Sequence, residues 1–145
     1  MENKNSKSIN ILLIEDNEGD VMLIQEALEE GKIVNKIEVI NNGEKAIAYL
    51  KDVKENRSKE SPDLIILDVN LPKKDGHEVL KFIKTDEKLK VIPVIMLTTS
   101  SAEIDVLKSY KNHANCFITK PVEVDEFMNA VREIENFWFT IVRMP

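Results

Sequence analysis

The sequence predicts a doubly wound α/β domain: five strand–helix units building one parallel sheet, with helices on both faces. Three observations predict it. Apolar runs of strand length alternate with segments of helical period. Most of those runs are rich in Ile, Leu and Val without in–out alternation, as strands buried on both faces are. After four of them comes an Asn, Asp or Ser three positions before an acid, a pairing that satisfies orphan amides at a helix start and suits the positive end of its dipole.

The elements follow in order. Ile9 to Ile14 reads as a buried strand, and Val21, Ile24, Ala27 and Leu28 then recur at helical spacing up to Gly31, a helix stop. Lys36 to Ile40 alternates, as an edge strand does, and Ala46, Ile47 and Leu50 form the next helical stripe. Leu64 to Leu67 is the third strand, followed by Val79, Leu80 and Ile83 on a helix. Val94 to Leu97 is the fourth, with Ile104, Leu107 and Lys108 after it. Cys116 to Thr119 is the fifth, and a last amphipathic helix carries Phe127, Val131, Ile134 and Trp138. The capping pairs are Asn17 with Asp20, Asn41 with Glu44, Asp75 with Glu78 and Ser100 with Glu103. Lys51 to Pro62 is a charged surface excursion rather than a domain boundary.

Composition narrows the function. At 145 residues, with 43% hydrophobic and 32% charged, the chain suits one ordinary soluble domain with a proper core. Its formal charge of −6, with scattered basic residues, argues against direct nucleic-acid binding. One cysteine, Cys116, excludes an internal disulfide framework and fits a reducing, cytoplasmic setting; it reads as core filler. The polar start lacks the apolar core of a secretory signal, and no apolar run is long enough to span a bilayer. The expected organisation is a tail over 1–8, a domain over 9–138 and a C-terminal tail over 139–145.

In an open parallel α/β sheet the functional edge lies at the carboxyl ends of the strands. The first strand delivers Glu15 and Asp16 there, the third Asp68 with Asn70 two residues on, the fourth Thr98, Thr99 and Ser100, and the fifth Lys120 and Pro121. Three carboxylates ~5 Å apart repel by on the order of 1 to 3 kcal/mol per pair. Such a cluster raises one acid's pKa or holds a cation, and oxygen ligands without His or Cys favour Mg2+ or Mn2+ over zinc. A lysine and a hydroxyl aimed at the same point suit a phosphoryl group, and an aspartate is an acceptable acceptor for one. His77 and His113 have no partner cluster, so neither reads as a ligand or phosphodonor.

The stretches LLIEDN, LIILDVNLPKKDG, VIMLTTS and ITKP, in that order, resemble the four motifs of the response-regulator receiver domain of two-component signalling. The resemblance implies a flavodoxin-like domain with strand order 2-1-3-4-5. It implies that Asp68 accepts a phosphoryl group from a sensor histidine kinase or a phosphotransfer protein. Asp16, Asp68 and the Asn70 carbonyl would hold Mg2+, or Mn2+ in its place, with Glu15 helping through water. Thr98 and Lys120 would bind the phosphoryl oxygens, Thr98 and Phe117 would form the switch, and Lys120–Pro121 would be cis. Asn70 and Ser100 would tune the lifetime of the phosphate. Glu15 stands where the family often has a second aspartate, and Phe117 lacks the hydroxyl of the more usual tyrosine.

A finer resemblance lies in HANCFITKP and the ending FWFTIVRMP, similar to regulators that pair with phytochrome-type histidine kinases. It implies a regulator without an output domain, homodimeric through the face of the fourth helix, fifth strand and fifth helix, with the aromatic tail as a contact. The expected activity is that of a signalling phosphoacceptor, with self-phosphorylation and self-dephosphorylation, rather than a dedicated enzyme. An aspartyl-phosphate phosphatase would want an acid at Asn70. The alternative is a phosphate-independent interaction module of the same fold, which loss of the acceptor, lysine or acids would favour; none is lost.

Overall fold

The computed structural model describes residues 9–31, 35–55, 60–99 and 116–137. Its strands are β1 (Ile9–Ile14), β2 (Asn35–Ile40), β3 (Leu64–Asp68), β4 (Val94–Thr98) and β5 (Cys116–Thr119). Its helices are α1 (Glu18–Glu30), α2 (Gly43–Lys54), α3 (Gly76–Lys84) and a C-terminal helix (Val124–Phe137). All strand pairs are parallel, in the order β2-β1-β3-β4-β5. The expected doubly wound sheet and its order are therefore present. Ser100, the helix expected around Ile104, Leu107 and Lys108, His113, and the tails over 1–8 and from Trp138 onward lie outside the described residues.

Successive side chains of a strand point to opposite faces, so each central strand feeds two cores. Leu12, Ile14, Ile65, Leu67, Val94 and Met96 face α2 and α3, packing with Leu50, Val79, Leu80 and Ile83. Ile11, Leu13, Leu64, Ile66, Ile95 and Leu97 face the other way, against Ile24 and Leu28 of α1 and Phe127 and Val131 of the C-terminal helix. Every residue of β3 and β4 is buried, which is why those runs lack alternation. In β2, Lys36, Glu38 and Val39 are exposed, as suits an edge.

The helix starts refine the sequence expectation at one point. Asn17 and Asp75 cap α1 and α3, accepting from the Asp20 N–H at 2.9 Å and the Glu78 N–H at 3.1 Å. For α2, however, the cap is Asn42 rather than Asn41: its carboxamide accepts from the Lys45 N–H at 2.8 Å. Two adjacent asparagines offer equal capping chemistry. The choice falls to the one whose successor can begin the helix against the β3–α3 loop, and that successor is a glycine. The Gly43 N–H donates to the Pro72 carbonyl at 3.2 Å.

The chain reverses its direction of travel across the sheet between β1 and β3. From β1 the first connection runs outward to β2, and the later ones run the other way through β4 to β5. A crevice opens at such a switch point because the loops above the two strands diverge. It lies where Glu15, Asp16 and Asp68 emerge.

Candidate functional site

Each part of the site is held by a strand end. Glu15 follows β1 directly; its N–H donates to the Ile40 carbonyl at 3.0 Å, extending the sheet by one residue. Its carboxylate turns inward, only 1% exposed, and accepts from the Asn17 N–H at 3.1 Å. Asp68 ends β3 and is buried, accepting from the Asn70 N–H at 3.2 Å. Thr98 ends β4, also buried, and its carbonyl accepts from the Lys120 N–H at 2.6 Å, which ties the start of the β5 loop to β4. The Lys120–Pro121 peptide is cis.

The Lys120 side chain runs back over the sheet edge into the acids. Its ammonium lies 3.0 Å from Glu15 Oε1, 3.0 Å from Asp20 Oδ2 and 3.3 Å from Asp68 Oδ2. The partnership spans 105 positions in sequence. Burial alone would lower the lysine's pKa. Hydrogen bonds to Asp20 and Glu15, with the charges of Asp68 and Glu15, outweigh that and raise it, so the cation is permanent at any physiological pH.

One ammonium does not compensate all these carboxylates. Burial, then the charge of Asp68, push Glu15 up to about 7, against the opposing pull of Lys120. The folded protein therefore keeps a proton that the unfolded chain, with an ordinary carboxyl near 4.5, releases. The stability tied to that proton is fully present below pH 4.5 and is lost as pH rises through about 7. Glu15→Gln, which keeps the oxygen that accepts from Asn17, is expected to flatten the stability profile across that window. Urea midpoints between pH 4.5 and 8 check it, and an unchanged slope would contradict it.

The carboxylate oxygens of Glu15, Asp16 and Asp68 all lie within 4.8 Å of one another. Two oxygens on opposite sides of a Mg2+ ion are about 4.2 Å apart, so a small side-chain rotation brings this set to bonding distance. The donors are all hard oxygens, and Asp16 is exposed while Glu15 and Asp68 are buried, giving a mouth and a base. These residues fit an octahedral dication. Asn70 stands exposed at the mouth, its side-chain amide donating to Thr99 Oγ1 at 3.2 Å. Its flanking neighbours Val69 and Leu71 are buried. A groove of about 740 Å³ leads away from Glu15 and Asp16 over the end of β2, between Met22 of α1 and Tyr49 of α2, and neither Asp68 nor Lys120 lines it.

With this geometry in place, comparison with known proteins is decisive. Residues 11–132 match the response regulator receiver domain. The chain belongs to that family. Among curated relatives of this receiver domain, the response regulator Rcp1 of Synechocystis sp. is 44% identical over 135 residues, which cover 93% of this chain and 92% of the relative. Among solved structures, the phosphorylated cyanobacterial phytochrome response regulator RcpA is 45% identical with a TM-score of 0.75, covering 92% of this chain and 95% of that one. The Mn2+-bound form of Rcp1 is 43% identical with a TM-score of 0.74, covering 94% of this chain and 99% of that one. The receiver is thus a two-component signalling protein homologous to phytochrome response regulators. None of its described helices is long and apolar enough to cross a membrane.

The structure brings Glu15, Asp16, Asp68, Asn70, Thr98 and Lys120 to one rim. Phe117 sits away from it, half-buried within β5 opposite Met96 and packed on the α2–α3 side. Sequence reasoning missed Asp20, which it read only as the acid of a capping pair. No local signal marked it: Asp20 lies in the first turn of α1, and its approach to Lys120 depends on the direction in which that helix leaves the rim.

Proposed function

We propose that this receiver accepts a phosphoryl group on Asp68, with Mg2+ or Mn2+ held by Asp16, Asp68 and the Asn70 carbonyl and with Glu15 assisting through water. The observation that carries the reading is the Lys120 ammonium, 3.3 Å from Asp68 at the base of a carboxylate cluster. A surface aspartate would have no use for so costly a neighbourhood. A phosphoryl acceptor has, because the transferring group brings oxygens that need a cation on each side.

An Asp68 carboxylate oxygen attacks phosphorus as the donor's P–N or P–O bond breaks, and the leaving group takes up a proton from solvent. When bound, the dication neutralises charge on the phosphoryl oxygens. Lys120 shifts from Asp68 Oδ2 to one of those oxygens, and the Thr98 hydroxyl donates to another. Glu15 and Asp20 keep the ammonium oriented while it does so. Asn70, exposed at the mouth of the site, tunes the lifetime of the acyl phosphate against hydrolysis, and the family resemblance gives Ser100 the same role. The donor is a phosphohistidine of a sensor kinase or phosphotransfer protein, and the homology to phytochrome response regulators favours a phytochrome-type kinase.

Movement of Thr98 toward the phosphate is the output. Thr98 is joined through its carbonyl to the loop leaving β5, and Phe117 lies in that strand, so a shift at the rim reaches the β5 face that a partner or a second copy reads. Homodimerisation through the face built from the fourth predicted helix, β5 and the C-terminal helix completes the proposal.

The test treats the protein with acetyl phosphate and Mg2+, then with sodium borohydride, which reduces an acyl phosphate to the alcohol. Peptide mass spectrometry is expected to find homoserine at position 68 alone. Homoserine at another aspartate, or none, would overturn the assignment.

A further inference from the structure

The loop that carries Asn70 leaves β3 at Asp68 and enters α3 at Gly76. It closes on itself, with the Gly76 N–H donating to the Val69 carbonyl at 2.8 Å. A Cβ on Gly76 would lie 2.6 Å from Val69 Cα and nearer still to the Asp68 carbonyl oxygen, so only glycine allows that closure. The outer half of the loop is shaped by Lys73, whose φ is +70°, and then rests on something outside itself. That support is the first residue of α2. The Gly43 N–H holds the Pro72 carbonyl at 3.2 Å, and a Cβ on Gly43 would land on the Lys74 carbonyl oxygen, 2.6 Å from its carbonyl carbon and 3.0 Å from its Cβ. The clash is with backbone, which cannot rotate aside.

We infer that Gly43, 25 residues before the acceptor, is a positioning residue for the phosphoryl and metal site, setting the β3–α3 loop and through it the Asn70 carbonyl. The inference rests on the phosphoacceptor reading above. The loop spans few residues between two buried strand and helix ends, so pushing Lys74 outward must move its other members, and Val69 and Leu71 are buried anchors that transmit the shift to Asn70. An octahedral Mg2+ or Mn2+ site tolerates little displacement of a ligand oxygen. The first peptide of α2 thus acts on the site through the backbone of the β3–α3 loop.

Gly43→Ala is expected to weaken Mn2+ binding at least tenfold by calorimetry and to slow acetyl phosphate labelling of Asp68 at least tenfold. Val53→Ala is the control: it removes a buried side chain from the far end of the same helix, away from the loop. It should lower the melting temperature yet leave the Mn2+ dissociation constant within twofold. In the unaltered chain, Mg2+ with beryllofluoride is expected to slow deuterium exchange of the Gly43 amide at least tenfold while leaving the amides of the last turn of α2 unchanged. A folded Gly43→Ala variant that binds Mn2+ and accepts phosphate like the parent overturns the inference. Should that variant not fold, an unchanged Gly43 exchange rate in the parent overturns it instead. Failure of the parent itself to bind Mn2+ and to be labelled would sink the phosphoacceptor reading first, a result these arms keep separate.

Discussion

Asp68→Asn is expected to reduce acetyl phosphate labelling to background while leaving the domain folded. An amide oxygen is a poor nucleophile toward phosphorus, and the variant keeps the same shape and the same acceptor for the Asn70 N–H, so the loss is chemical rather than structural. The charge it removes matters in two further ways. Mn2+ affinity falls at least tenfold, because one of three clustered carboxylates has gone. And the pressure on Glu15 eases, since the charge of Asp68 is the second cause, after burial, of its high pKa. The folded state should gain on the order of 1 kcal/mol at neutral pH from that relief. Intact-mass spectrometry and urea unfolding at pH 7.5 measure both effects. Undiminished labelling would show that the phosphoryl group goes elsewhere.

Lys120→Met is expected to have the largest combined effect on stability and chemistry. Methionine keeps the length and apolar body of the side chain but leaves Glu15, Asp20 and Asp68 facing one another without a cation. Removing one partner of a buried ion pair costs about 3 to 5 kcal/mol; Asp20 is a quarter exposed, so about 2 to 4 is the expectation at pH 7.5. The loss should shrink as pH falls and Glu15 takes up its proton. A millimolar divalent cation should also restore much of the stability, by supplying the missing charge. It should not restore phosphorylation, which is expected to fall about 100- to 1,000-fold, because a preorganised donor to the phosphoryl oxygens is absent. Melting curves with and without Mg2+, beside labelling rates, separate the two roles. A variant labelled at the parental rate would show that Lys120 serves only to neutralise the acids.

The response-regulator family was legible in the sequence because its chemistry is concentrated at strand ends. A run such as Leu64 to Leu67 announces a buried strand, and whatever follows it must stand at the sheet's edge. Asp68 and Lys120 could therefore be assigned to one rim without knowing their separation. Asp20 could not, because its role depends on the direction in which α1 leaves that rim. Nor could the preference for Asn42 over Asn41, since both satisfy the same local capping rule and the decision is made by a loop 30 residues downstream.

What the sequence alone determined was the five strands, their parallel arrangement, the four helices among the described residues and the residue types brought to the functional edge. These follow from periodicity, capping and burial, which act over a few neighbouring residues. The tertiary structure alone decided the partnerships: which acids share the Lys120 ammonium, how far Glu15 is driven toward its neutral form, and that Gly43 supports the loop beside Asp68. Such contacts depend on strand register, helix direction and the close approach of backbones far apart in the chain. No local pattern encodes those distances, because they are set only when the whole sheet and its covering helices are packed together.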